Sequence, residues 1–306
     1  MALRGSTHDR YRDGDGDTDR DRRRSEAGAL ASSVDRRMRL FNHCCVGVLL
    51  ALALLWLVPL AWALDTSLKP NAETTDPTWL IENPTLQAYR TVLADSDILN
   101  WYVASFVTST LATLGTVLTA SMAAYALSRL RFRYRRLVFW LVLAGLMIPN
   151  QVLIVPQFRE LGSVHLLNTW WAVLLPQIPT AIAVFVFKQF FDGIPRDLDE
   201  AARIDGAGFF RTYRRVVMPL SRPAVSAVAI FSFVWSWNNL LWPLLAVTDP
   251  DLMTIPVGLA AIQGTYGIRY ADTMASAILG ALPLILVFLL FQRRIVEGIA
   301  GTGLKG

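Results

Sequence analysis

Apolar and polar positions along this chain fall into long alternating blocks rather than into the short periods of a soluble domain. Six stretches, approximately 44–64, 101–128, 137–157, 170–187, 224–247 and 274–292, are apolar almost throughout and contain no Asp, Glu, Lys, Arg or His. Each reaches or approaches the roughly 20 residues with which a helix crosses a hydrocarbon core of about 30 Å. The pattern predicts an all-α membrane protein with six transmembrane helices. Three spans carry their own interruptions: Pro149-Asn150-Gln151 in the third, Pro176-Gln177-Ile178-Pro179 in the fourth, and Asn238-Asn239 with Trp242-Pro243 in the fifth. Proline removes a backbone donor, which a membrane tolerates where protein or water satisfies the freed groups. Between the first two spans, loop 65–100 holds Pro70, Pro77 and Pro84 and then a predicted helix over 85–93.

The polar block between the fourth and fifth spans (loop 192–223) has a helix–Gly–helix pattern. Asp197 is positioned to cap a first helix, with Glu200 three residues on as the other half of a capping box. Glu200-Ala201-Ala202-Arg203-Ile204-Asp205-Gly206-Ala207 then runs to a glycine expected to take the left-handed turn that stops that helix. Phe209, Tyr213, Val216 and Val217 recur at helical spacing, and Pro219 and Pro223 close the unit.

That spacing resembles the EAA loop of binding-protein-dependent ABC transporter permeases: Glu-Ala-Ala, three residues, Gly, nine residues, an aliphatic residue, one more, then Leu-Pro. Here Met218 stands where the family has Leu. From about residue 44 onward the chain is similar to the smaller permease subunit of maltose-type carbohydrate importers. The shared features are six helices, this loop, Phe233-Val234-Trp235-Ser236-Trp237-Asn238-Asn239-Leu240-Leu241-Trp242-Pro243, and a Gly-rich end closing in Leu304-Lys305-Gly306. The resemblance implies a type I ABC importer permease fold with a cytoplasmic coupling-helix hairpin. It also implies a second homologous permease, two cytoplasmic ATPase subunits and an extracytoplasmic solute-binding protein. Glu200, Ala201, Ala202, Asp205, Gly206, Ala207 and Pro219 would dock the ATPase. Gln263, Gly264 and Tyr266 of the third outside loop would reach the binding protein or its sugar, and the C-terminal tail would lie against the ATPase. A disaccharide or oligosaccharide is the implied cargo, with glycerol-3-phosphate or a polyol as the alternative.

Charge sets the expected orientation. Of 29 Lys and Arg, 25 fall in segments 1–43, 129–136, 188–222 and 293–306, leaving Lys69, Arg90, Arg159 and Arg269 on the other side. The positive-inside rule therefore places both termini and the hairpin in the cytoplasm of a plasma (inner) membrane protein, with 65–100, 158–169 and 248–273 outside. Arg129, Arg131, Arg133, Arg135 and Arg136 are pinned between two spans, so the isoelectric point near 9.5 reports topology and not nucleic acid. Residues 1–43 are expected to be a disordered charged tail, lacking apolar content. Its alternating aspartates do not make an EF-hand, because Thr18 sits at the glycine position and Arg24 at that of the bidentate glutamate. Arg36-Arg37 before the first apolar run suits a retained first helix better than a cleaved signal, because the run is long and five spans follow. Cys44 and Cys45 are adjacent, suited to apolar filling or to palmitoylation, not to a disulfide with each other.

The chain shows no energy source of its own. No Walker A sequence is present, and the charge-free spans lack the ionisable hardware of ion-coupled transport. No cofactor is expected in this chain, with Mg-ATP on the partner ATPase. At depth, Gln151, Gln177, Trp235, Asn238 and Asn239 are the candidate substrate pathway, since amides beside aromatic rings suit a sugar. The same amides would also serve as glue between helices. A non-transporting scaffold would have no need of such clusters.

Overall fold

The computed structural model describes residues 15–74, 81, 83–265 and 269–303, the side chains of 15–37, 39–40, 263–265 and 293–303 excepted. The chain divides into two compact units, Met1–Trp62 and Ala63–Gly306. The described part of the first unit is one helix, most of α1 (Asp15–Ser67). Its backbone is helical from Asp15.

Among the described residues, three helices are long and apolar enough to cross a membrane: Phe41–Ser67 within α1, α3 (Ile98–Arg129), and Tyr270–Gln292 within α14 (Tyr270–Gly303). Three bent pairs bring the number to six, and each bend falls at a proline or at a helix stop. In the third span, α4 (Arg135–Ala144) and its 3₁₀ extension through Met147 meet Asn150–Ser163, which contains α5 (Ile154–Ser163), at 92°. Ile148 is extended (φ −88°, ψ 114°) because it precedes Pro149. In the fourth, α6 (Trp170–Leu174) with its own 3₁₀ turn meets α7 (Ala181–Asp192) at 45°. The fifth span begins at an 80° turn after the hairpin. Its helix α11 (Arg222–Trp237) is only about 24 Å long at 1.5 Å per residue, so α12 (Leu241–Ala246) completes it after a break. The sequence signals predicted interruptions, not right-angled ones.

Helix α3 is the unbroken member around which the second unit packs. Its buried face is small or hydroxylated (Ser105, Ser109, Ala112, Thr116, Ala120, Ala124), which lets α7 and α11 approach closely. Thr116 Oγ1 donates to the Ile178 carbonyl at 3.1 Å, covering an acceptor exposed by the bend at Pro179. At one end of α3, Tyr125, Phe187, Phe191, Tyr213 and Val217 share a core; at the other, Trp101, Trp237, Ile255 and Ala275 do. The helix expected over 85–93 is α2 (Gln87–Asp95), two residues later.

Candidate hairpin site and the polar spans

The hairpin consists of α8 (Asp197–Ile204), the turn at Gly206, then α9 (Phe209–Thr212), a π turn over Tyr213–Val217 and α10 (Met218–Leu220). The first helix is not capped as its sequence suggested. Arg196 holds the N-cap position in a helical conformation (φ −70°, ψ −22°), with no side-chain cap. Asp197 thus lies inside the first turn, where Asp197, Asp199 and Glu200 instead favour the positive end of the helix dipole, with Arg203 at the other end. The stop matches expectation. Gly206 has φ +74°; its N–H donates to Arg203 O (3.0 Å), and the Ala207 N–H donates to Ala202 O (2.8 Å), the two bonds of a Schellman turn.

Both arms are seated on the same end of α3. Arg129 Nη1 lies 3.1 Å from Asp199 Oδ2, and both side chains are buried. Arg129 Nη2 also donates to the carbonyls of Phe191 (2.7 Å) and Ile194 (2.8 Å), tying the end of α7 into the same knot. Ser128 donates to Asp192 (2.6 Å), which pairs with Lys188. On the second arm, Tyr213 and Ser121 share a 2.8 Å hydrogen bond, Tyr125 donates to Phe209 O at 3.1 Å, and the two tyrosine rings sit 5.3 Å apart. Among the side chains this seat holds out to solvent are four large apolar ones, Leu198, Ile204 (88% exposed), Phe209 and Phe210 (65%), set among exposed charged residues such as Asp197, Glu200, Arg203 and Asp205. Of the residues nominated for docking, Glu200, Ala201, Asp205, Gly206 and Pro219 are exposed and Ala207 is half-buried. Ala202 is buried, so its small side chain serves the hairpin's own packing. The Arg129–Asp199 pair was not singled out from sequence: Arg129 read as a topology anchor, and Asp199 was hidden beside Glu200.

The pathway candidates are less united. Gln151 is exposed in the 3₁₀ turn after Pro149. Gln177 is half-buried and donates to Val173 O within its own segment (2.8 Å). Trp235 is 68% exposed, whereas Trp237 is buried and stacks on Phe233. Asn238 is the C-cap of α11, its amide donating to Val234 O at 2.8 Å; Asn239 follows, half-buried. None of the five hydrogen-bonds another among the described residues, and Asn238 bonds within its own helix and not to a neighbouring one. The sequence marks 238–239 as an interruption of the fifth span, and the structure has a helix break there, between α11 and α12. Segment 248–273 contains a helix, α13 (Ile255–Thr265), that carries Gln263 and Gly264; Tyr266 lies outside the described residues. Two asparagines not nominated from sequence organise this end. Asn168 Oδ1 accepts from the N–H groups of Thr248 (3.0 Å) and Asp249 (2.9 Å). Asn71 donates to Asp272 (3.0 Å) and accepts from Ala271 N–H (3.1 Å).

Comparison with known proteins agrees with this architecture. Residues 115–299 match the family model described as binding-protein-dependent transport system inner membrane component. The chain is 37% identical over 254 residues to the sulfoquinovosyl glycerol transport system permease of Agrobacterium fabrum, covering 82% of this chain and 89% of that one. It is 34% identical over 260 residues to the arabinooligosaccharides transport system permease of Bacillus subtilis (83% and 92%). A permease named for sn-glycerol-3-phosphate in Yersinia pestis is 34% identical over 278 residues (87% and 98%). The fold superposes on a chain of a bacterial ABC transporter that imports alginate, with a TM-score of 0.75 at 21% identity, covering 83% of this chain and 96% of that one.

Proposed function

Because the chain belongs to the family of binding-protein-dependent transport system inner membrane components, we propose that it passes a sugar across the inner membrane by alternating access. It would pair with a second permease and two cytoplasmic ATPase subunits and receive cargo from an extracytoplasmic binding protein. In this reading Mg-ATP is hydrolysed on the partner, and the hairpin carries ATPase closure into the spans. One observation carries the mechanism: Leu198, Ile204, Phe209 and Phe210 stand exposed on a support locked to α3 and α7 by Arg129, Tyr125 and Tyr213. An apolar patch held rigidly outward suits a groove in a partner. A displacement of that patch would pull on α3 through a buried ion pair and on α11 through α10.

The sugar assignment draws on the relatives named for sulfoquinovosyl glycerol and arabinooligosaccharides; the relative named for sn-glycerol-3-phosphate supports the second reading. Gln151, Trp235, Asn238 and Asn239 remain the proposed route, with Gln177 beside it. The break at 238–240 is where backbone and amide groups become available to cargo. Phe210→Glu, expressed with its partner subunits, should reach the membrane but fail to co-purify with the ATPase. Normal co-purification and uptake would overturn the docking role. Competition of uptake by oligosaccharides against sn-glycerol-3-phosphate decides the cargo.

A further inference from the structure

A concave site of about 710 Å³ lies between the end of α3 and the foot of the hairpin, lined by Arg131, Phe132, Arg133, Tyr134, Arg135, Arg136, Leu137 and Arg196. Five of the eight are arginines and none is acidic. Nothing in transport chemistry needs such a density here, and positive-inside topology requires charge but not a bowl. Arg131, Arg133, Arg136 and Arg196 are exposed, and no salt bridge engages them among the described residues. The bowl is also the N-terminus of α4. Arg135 N–H is satisfied by Phe132 O and Val138 N–H by Tyr134 O, while the N–H groups of Arg136 and Leu137, both in the wall, have no backbone partner among the described residues. Guanidinium forks and free amides at a helix start are a phosphate-binding chemistry. Directly above, Leu137, Trp140 and Leu141 form an exposed apolar strip up α4, and Phe132 and Tyr134 are exposed at the rim.

We propose that this bowl binds the headgroup of an anionic phospholipid, with the acyl chains along the Leu137–Trp140–Leu141 strip. A soluble phosphate would use the arginines alone; an amphiphile uses both halves of the site. Because Arg196 is the N-cap of α8, Arg131 and Arg133 belong to the α3–α4 loop, and Arg135 and Arg136 open α4, the headgroup bridges that loop and the start of α4 to the foot of the hairpin. The inference rests on the reading of this loop as lying at the cytoplasmic membrane surface.

The test is native mass spectrometry of the full chain, purified with its partner subunits in detergent and offered phosphatidylglycerol, cardiolipin or phosphatidylcholine, with inorganic phosphate as competitor. Anionic lipid should be retained at least about tenfold better than phosphatidylcholine, as expected when several arginines contact a charged headgroup. The triple variant Arg131→Gln, Arg133→Gln, Arg136→Gln should abolish that preference. The corresponding triple Lys variant keeps the topology signal and should retain part of it. Equal retention of all three lipids, an unchanged preference in the Gln variant, or displacement by inorganic phosphate would each overturn the proposal. Retention in detergent depends on neither transport nor leaflet, so failure of the transport reading leaves this result standing. Phe132→Cys labelling by an impermeant maleimide in intact cells reports failure of the orientation separately.

Discussion

Removing Arg129 should loosen the hairpin while leaving the membrane spans in place. At 3.1 Å and an effective dielectric of about 20, the attraction between Arg129 and Asp199 is worth roughly 5 kcal/mol. Most of that is offset by desolvation, and Arg129 Nε and Asp199 Oδ1 remain buried without partners, so the intact pair contributes little net stability. Removing one partner is different, because the other charge stays buried and uncompensated, which costs about 3–5 kcal/mol. Arg129→Met also frees the carbonyls of Phe191 and Ile194. Such a loss corresponds to roughly a hundred- to several-thousand-fold more frequent local opening, capped by the stability of the hairpin itself. Hydrogen exchange of α8 peptides in the purified full chain reads this directly. Arg129→Met and Asp199→Leu should each accelerate α8 exchange, with α14 exchange unchanged. The double variant should return to within about tenfold of the parent, since an apolar pair can replace a buried ionic one. If either single variant exchanges like the parent, or the double variant is as labile as the worse single, the pair does not seat the hairpin.

Gly206→Val should destabilise the α8 turn by about 1 kcal/mol or more, purely through φ, because a Cβ there would touch nothing within 4 Å. Gly206→Asn should cost less, as Asn tolerates the left-handed region; equal exchange rates for the two would remove φ as the cause. Gly258→Ala should lower the melting temperature by an amount equivalent to about 1–3 kcal/mol, since its methyl would overlap the buried indole of Trp101; an unchanged melt would mean that α13 does not rest on α3. With Cys44 and Cys45 replaced, Thr248→Cys should react with an impermeant maleimide in intact cells and Phe210→Cys should not, and the opposite pattern would invert the topology. Asn238→Ala and Asn239→Ala should reduce uptake with ATPase assembly intact; normal uptake by both would remove the fifth-span break from the cargo route.

The spans and the hairpin were legible because both are written locally, in the length of apolar runs and in the Glu-Ala-Ala…Gly spacing. Pro149 and Pro179 announced where helices would fail, but a bend of 92° against one of 45° is decided by what packs on each side. The seat of the hairpin was not legible. Arg129 and Asp199 lie 70 positions apart, and each had a sufficient local explanation, charge bias for one and a helix start for the other. The interruption at Asn238-Asn239 was legible, but not that the Asn238 amide closes its own helix by donating to Val234 O. Asn71 and Asn168 left no signal at all, since a lone asparagine in a polar loop is unremarkable until its partners, 201 and 80 residues away, are brought to it.

Among the described residues of the second unit, α3 is the span that runs its full 32 residues without a proline, a bend or a 3₁₀ interruption. A rod of that length is about 48 Å long at 1.5 Å per residue, and it is gripped at both ends. Arg129, Tyr125 and Ser121 fasten one end to the hairpin, while Trp101, donating to Pro250 O at 2.9 Å, and Ser105, accepting from Ile255 N–H, fasten the other to the segment that opens α13. Jointed spans absorb a push by flexing; a straight one hands it on. A tilt of about 5° would swing one tip of this rod by about 4 Å, roughly three residues of helical rise. In the proposed transport cycle, events at the hairpin and at the opposite end of α3 would be registered through a single lever, with the kinked neighbours supplying the slack.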